Sequence, residues 1–295
     1  MSVPPEVTST ILKIILMPVA IVALFWTIRV LYFRFHKTRE QKGDTSTPLS
    51  PTLQWMNTAG SILLAWNKNN FRYMGGIFYP GAERDENLVA NIKKMLWNYW
   101  GIQGHDSALE KMTSLIHTGM RRQYDWEMRQ LEMMYAGYSE RQLIEVAKQE
   151  NPKASEDSFL PKMLVAYRRY GQDALLGWDV GRAAYNCQNC YFAGYLSMEE
   201  VLEIGVEGAK KVQAVFQNWE EMMESYLLGF QYWKREDAGD PDSVTAKRWE
   251  LYEKLWRGEK PYEKIPYVTI AFDTPLSKKV ITDQYGIMPA YRYDD

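Results

Sequence analysis

The sequence predicts an all-α fold: a single-pass N-terminal transmembrane helix, then a globular multi-helix domain with an extended C-terminal tail. Three observations predict the helical domain. Residues 86–100, ENLVANIKKMLWNYW, repeat apolar side chains at helical spacing through Leu88, Ile92, Met95, Leu96 and Tyr99. Two stretches carry a reciprocal helix start, Ser139 with Gln142 and Ser197 with Glu200, each flanked by the apolar pair of a hydrophobic staple. Ala209, Val212, Phe216, Trp219, Met223, Tyr226, Phe230 and Trp233 follow one another at alternating gaps of three and four residues, a seam that reads as a helix core face in preference to a coiled coil between chains.

In chain order, residues 1–10 form a short leading segment and residues 11–33, ILKIILMPVAIVALFWTIRVLYF, a transmembrane anchor. The uncharged run from Ile14 to Ile28 lengthens to a full span when Lys13 and Arg29 snorkel to the headgroups. Trp26 and Tyr32 suit an interfacial belt. A cleaved signal peptide fits poorly, because the run leads into basic sequence without a small-residue cleavage site. Arg29, Arg34, Lys37, Arg39 and Lys42 follow the run and only Lys13 precedes it among basic residues, so the large domain is expected to face the cytoplasm from the inner membrane. Residues 34–52, basic and then polar with two prolines, read as a flexible tether.

The domain is expected over 53–258. Gly101 should end the 86–100 helix as a left-handed cap, with Trp97 and Trp100 either anchoring that turn in the core, the preferred reading, or lining a groove. Residues 107–134 suggest one or two further helices. A helix from about Leu175 carries LLGWDVGRAAYNCQNC, and the helix begun at Ser197 is expected to run on along its seam to Trp233. A charged loop, 234–243, precedes an amphipathic helix over 244–257. The tail, 259–295, contains YVTIAF at 267–272, a β-type run that reads as a short strand or a packed extended arm.

The chain has 295 residues, 46% of them apolar, with 11 Trp, 20 Tyr and 10 Phe. Rings in that number supply either a large core with an amphipathic boundary or a recognition surface. A net charge of −2 argues against a nucleic-acid partner, which would need clustered Lys and Arg. Cys187 and Cys190 form a Cys-x-x-Cys, but a zinc site needs two more ligands, and His36, His105 and His117 are scattered. Two buried, reduced thiols are the simpler reading, and neither metal nor cofactor is expected. Glu199, Glu200, Glu203, Glu220, Glu221 and Glu224 read as solvated helix faces.

Asp179 and Arg182 stand at i and i+3 on one helix face, which permits an ion pair. They are the candidate catalytic residues. Trp178, Asp179, Arg182, Trp100 and Trp219 are the candidate binding residues. The structural alternative is a buried pair beside Trp178 that ties this helix to its neighbours, and it is the preferred one, because no convergent set of titratable groups is recognisable.

Three segments in matching order and spacing resemble a bacterial family of unknown function, domain-of-unknown-function family twelve-sixty-six, over about 90–233. The first is Trp100-Gly101-Ile102 with the following ALEKMTSLIHTGMR. The second is Trp178-Asp179-Val180-Gly181-Arg182. The third is Gly194 to Glu200, then Phe216 to Glu221, then Gly229 to Trp233. The resemblance implies an all-helical fold with WD-x-G-R as its candidate site, and no activity. Some relatives lie near secretion and toxin loci, which implies a role in intercellular conflict. The anchor and the cysteine pair are outside the family pattern.

Together these readings favour a membrane-tethered, cytoplasm-facing helical domain, bound to the lipid bilayer through 11–33, that acts by binding an unidentified protein partner. The alternative is an enzyme with a helical active site around Asp179 and Arg182. A sealed pair favours binding, and an open pocket holding both side chains favours catalysis.

Overall fold

The computed structural model describes residues 24, 27, 28, 49–69, 71, 73–76, 85–262 and 266–280. The expected anchor at 11–33, apart from three positions, most of the tether and the tail beyond 280 lie outside them. Among the described residues no helix is long and apolar enough to cross a membrane. The chain divides into two units, Met1–Thr45 and Ser46–Asp295. The second is all-helical among its described residues and holds every element below.

Helix α1 (Pro51–Ala59) begins inside the expected tether, and α2 (Ser61–Trp66) follows it within the expected domain. The Ser50-Pro51 pair that reads as loop sequence is a helix start: Ser50 accepts the Leu53 N–H and Pro51 takes the first helical position, where its fixed φ and missing N–H suit the helix. Asp85 caps α3 (Glu86–Trp100), and Gly101 closes it at φ 68° as the spacing predicts. Trp97 departs from expectation. It is 54% exposed, so the turn is held by the Ile102 side chain, which is fully buried. The 107–134 region resolves into α4 (His105–His117) and α5 (Arg121–Met134).

Helix α6 (Glu140–Glu150) starts at the expected Ser139–Gln142 capping box, and α7 (Phe159–Tyr170) follows. A short 3₁₀ turn leads into α8 (Leu176–Phe192), the centre of the domain. Every residue of α8 except Arg182 and Tyr191 is buried. Helices α1, α3 and α4 pack around it, together with α9 (Met198–Val215) and α10 (Trp219–Lys234). A helix buried on all sides must satisfy its polar side chains internally. The amide groups of Asn186, Gln188 and Asn189 donate to the carbonyls of Arg182, Ala184 and Tyr185 one turn earlier, while Asn186 Oδ1 is left without a partner among the described residues. Cys187 and Cys190 lie in the same core as free thiols. Burial raises the thiol of Cys190 to about 12 and that of Cys187 well above its ordinary value, so neither is a thiolate at neutral pH.

The long helix expected from Ser197 to Trp233 is two helices. Phe216 turns extended at φ −106° and ψ 153°, and Asn218 caps α10 by accepting the Glu221 N–H. The seam conceals this break because its spacing passes through the cap without a change of phase. All its members are buried except Trp233, which is 54% exposed.

At the other end of α9, Ser197 and Glu200 form the expected capping box. Ser197→Ala should cost about 1 kcal/mol, typical for loss of an N-cap side chain, read as a shifted denaturation midpoint. The glutamates nearby are not uniformly solvated faces. Glu200 bonds His105 Nε2 at 2.7 Å, and Glu221 takes Arg169 at 2.8 Å.

Helix α11 (Val244–Arg257) occupies its expected span and ends at Gly258. Of the two readings of 267–272, a short strand or a packed extended arm, the strand is replaced by the helical turn α12 (Pro266–Thr269). Tyr267 and Ile270, three apart, are buried, whereas Val268 is 78% exposed, a spacing that alternation cannot produce. The arm after it packs onto the domain. The indoles of Trp55 and Trp219 donate to the carbonyls of Phe272 and Ile270, each at 2.9 Å, and Thr52 donates to Ser277 at 2.7 Å.

Candidate functional site

Asp179 lies in the first turn of α8 with its carboxylate fully buried. One oxygen accepts Arg182 Nη2 at 2.6 Å and the other Arg121 Nη1 at 3.0 Å. The Met120 N–H reaches both oxygens, at 3.2 and 3.1 Å. Arg121 is itself buried and donates to the Ile116 carbonyl at 2.8 Å and that of Leu115 at 3.4 Å. It thereby satisfies carbonyls that the end of α4 leaves without intrahelical partners. One carboxylate thus joins α4, α5 and α8.

The turn between α4 and α5 fits around this carboxylate. Gly119 adopts φ 53°, and a Cβ there would overlap the Asp179 side chain. Only glycine supplies both the left-handed backbone and the close approach. Burial pushes the Asp179 carboxyl above its ordinary value against the pull of Arg182, Arg121 and the Met120 N–H, and burial pulls Arg182 below its own.

Trp178 stands beside the pair. Its indole donates to Met120 Sδ at 3.1 Å and carries the Arg182 guanidinium 4.2 Å above its ring centroid. Tyr226 and Phe230 of α10 meet it edge-on at 5.0 and 5.8 Å, and Trp233 stacks at 6.2 Å. The approach requires Gly229, because a Cβ there would overlap Trp178 Cβ and Cγ. Alanine for glycine within a helix ordinarily stabilises by about 1 kcal/mol. Gly229→Ala should reverse that sign and destabilise by about 1–3 kcal/mol through overpacking, measured by urea denaturation.

A cavity of about 870 Å³ opens beside these residues, lined in part by Trp178, Arg182, Trp100, Trp66, Phe230 and Arg248. The structure therefore divides the expected pair. Asp179 is sealed from solvent, whereas Arg182, 14% exposed at its side chain, faces the cavity and also lies 5.8 Å from the Trp100 ring centroid. Trp178, Asp179, Arg182 and Trp100 come together. Trp219 does not join them. It is buried in a separate aromatic cluster with Trp55, Tyr267 and Phe272, at centroid distances of 5.1, 6.4 and 5.2 Å.

Sequence reasoning missed Arg121 and Arg248. Arg121 closes the TGMR segment, where its neighbour Gly119 was the available signal. Arg248 lies within α11 among aromatic residues with no motif to mark it. Among the described residues no group of three or more His, Cys, Asp or Glu is placed to hold a metal.

The three family-like segments meet at this site: Trp100 over Arg182, Trp178 to Arg182 at its centre, and Gly229 and Trp233 against Trp178. No curated protein and no solved structure matches the chain. A family described as "Protein of unknown function (DUF1266)" matches residues 95–269. That span contains the whole buried ion cluster and every aromatic side chain stacked on Trp178, and the chain belongs to the DUF1266 family.

Proposed function

We propose that the chain is a membrane-tethered helical domain, facing the cytoplasm, that works by binding rather than by catalysis. The observation that carries this reading is the environment of Asp179. Both carboxylate oxygens are engaged by Arg121, Arg182 and the Met120 N–H, and neither reaches solvent. An enzyme built on Asp179 and Arg182 would need that carboxylate open to a substrate. Among the described residues the cavity wall supplies no other carboxylate, histidine or thiol in its place. The tether rests on the apolar run at 11–33 and its basic flank. A place beside bacterial secretion or intercellular-conflict machinery rests on the family resemblance alone.

Exposed rings offer a surface for a protein partner. Trp97, Tyr99 and Trp126 are 54%, 80% and 65% exposed, and Trp and Tyr dominate interface energetics. The test is capture from detergent-solubilised membranes by the full chain, with Trp97→Ala and Trp126→Ala as controls. A specific partner lost in a variant that melts like wild type supports the reading. Capture unaffected by both variants, or a domain recovered only from the soluble fraction, would sink it.

A further inference from the structure

We propose that the cavity beside α8 binds a small organic carboxylate carrying a flat aromatic ring, and that Arg248 is the residue that takes its anionic end. This rests on reading the domain as a binding module. Arg248 is 7% exposed, lines the cavity, and faces no carboxylate among the described residues. Its guanidinium lies between two rings, 4.5 Å from the Trp66 centroid and 4.1 Å from that of Phe230. Among the described residues its one polar side-chain contact is long, 3.5 Å to the Tyr226 hydroxyl, and its buried Nε has no hydrogen-bond partner.

A buried cation without a counter-ion is costly, and burial accordingly pulls this guanidinium below its ordinary value. The other two arginines of the site show the contrast. Arg121 and Arg182 share Asp179 and bond backbone carbonyls. The charge balance favours an anion further. The guanidiniums of Arg121 and Arg182 oppose the single sealed carboxylate of Asp179, with the half-exposed Asp173 at 3.9 Å from Arg121. Arg248 adds a third positive charge, and among the described residues the lining contributes Lys111 but no acidic side chain.

The walls define the rest of the ligand. Trp66, Trp100, Trp178 and Trp233 all contribute to the lining, so a flat ring finds apolar indole surface to pack against. The volume lies in the range of small-molecule sites that combine apolar walls with a few polar anchors. Asn69 adds a buried Oδ1 without a partner at the same wall, an acceptor for a hydroxyl or N–H on the ligand. A guanidinium fork matches a carboxylate in shape, and the two bond bidentately.

Isothermal titration of the full chain in mild detergent tests this with benzoate, 2-naphthoate and anthracene-2-carboxylate, each against its neutral amide. At least one acid should bind about tenfold or more tightly than its amide, the factor expected for one charge-assisted hydrogen bond. Arg248→Gln should abolish that preference, and Arg248→Lys should restore part of it. Equal binding of acid and amide, or no binding of any probe, overturns the proposal without folding of a variant being at issue. A preference that persists in a folded Arg248→Gln overturns the role of Arg248. Probes are recovered and weighed by mass spectrometry. Chemical conversion would overturn the binding reading of the domain and leave anion recognition standing, whereas loss of acid preference does the reverse.

Discussion

Asp179→Ala should destabilise the domain by about 3–5 kcal/mol, the range for removing one partner of a buried ion pair. Among the described residues its carboxylate is the only acidic group buried against Arg121 and Arg182. The substitution leaves two guanidiniums facing each other across a small void and removes the acceptor of the Met120 N–H. Denaturant titration of a truncation beginning at Ser46 measures the loss. Asp179→Asn should fall between, since an amide retains an acceptor for one arginine but not the charge. An unchanged midpoint for Asp179→Ala would show that the cluster does not hold α4, α5 and α8 together.

Trp219→Ala should be comparably severe, about 3–5 kcal/mol for truncation of a buried indole. It removes the ring packed against Trp55 and Phe272 and the hydrogen bond to the Ile270 carbonyl that fixes the arm. Glu203→Ala supplies the contrast. Its one ion pair, with Lys278 at 2.6 Å, joins two exposed side chains, and such pairs are worth at most about 1 kcal/mol. If Trp219→Ala instead melts like wild type, the ring contributes little to the core and belongs among the exposed interface residues.

Most helices were legible because their ends carry local chemistry. Ser139, Ser197 and Gly101 determine boundaries through groups within four residues of themselves. The break at Asn218 was concealed for a converse reason. Its Asn-x-x-Glu signal lies inside an apolar seam that periodicity alone joins across it. The turn at Pro266 was misread because Val, Ile and Phe favour strands intrinsically, while burial of Tyr267 and Ile270 on one side overrode that preference.

At the site, the Asp179–Arg182 contact follows from helical spacing and was visible. Arg121 approaches from 58 residues away, and Arg248 reaches the cavity from another helix. No local pattern encodes those approaches. Trp219 looked like a recognition residue because an indole on a seam has the same sequence signature whether the seam faces core or solvent.

The burial of α8 on every side has a consequence for motion. An amide exchanges its hydrogen with water only when its structure opens, and an element enclosed by its neighbours opens only when they do. The amides of α8 should therefore exchange near the rate set by global unfolding. Helix α6, in which only Leu143 is buried, should exchange through local fraying far sooner. Arg182, projecting from the slowest-opening segment, would hold its place at the cavity wall while the periphery fluctuates.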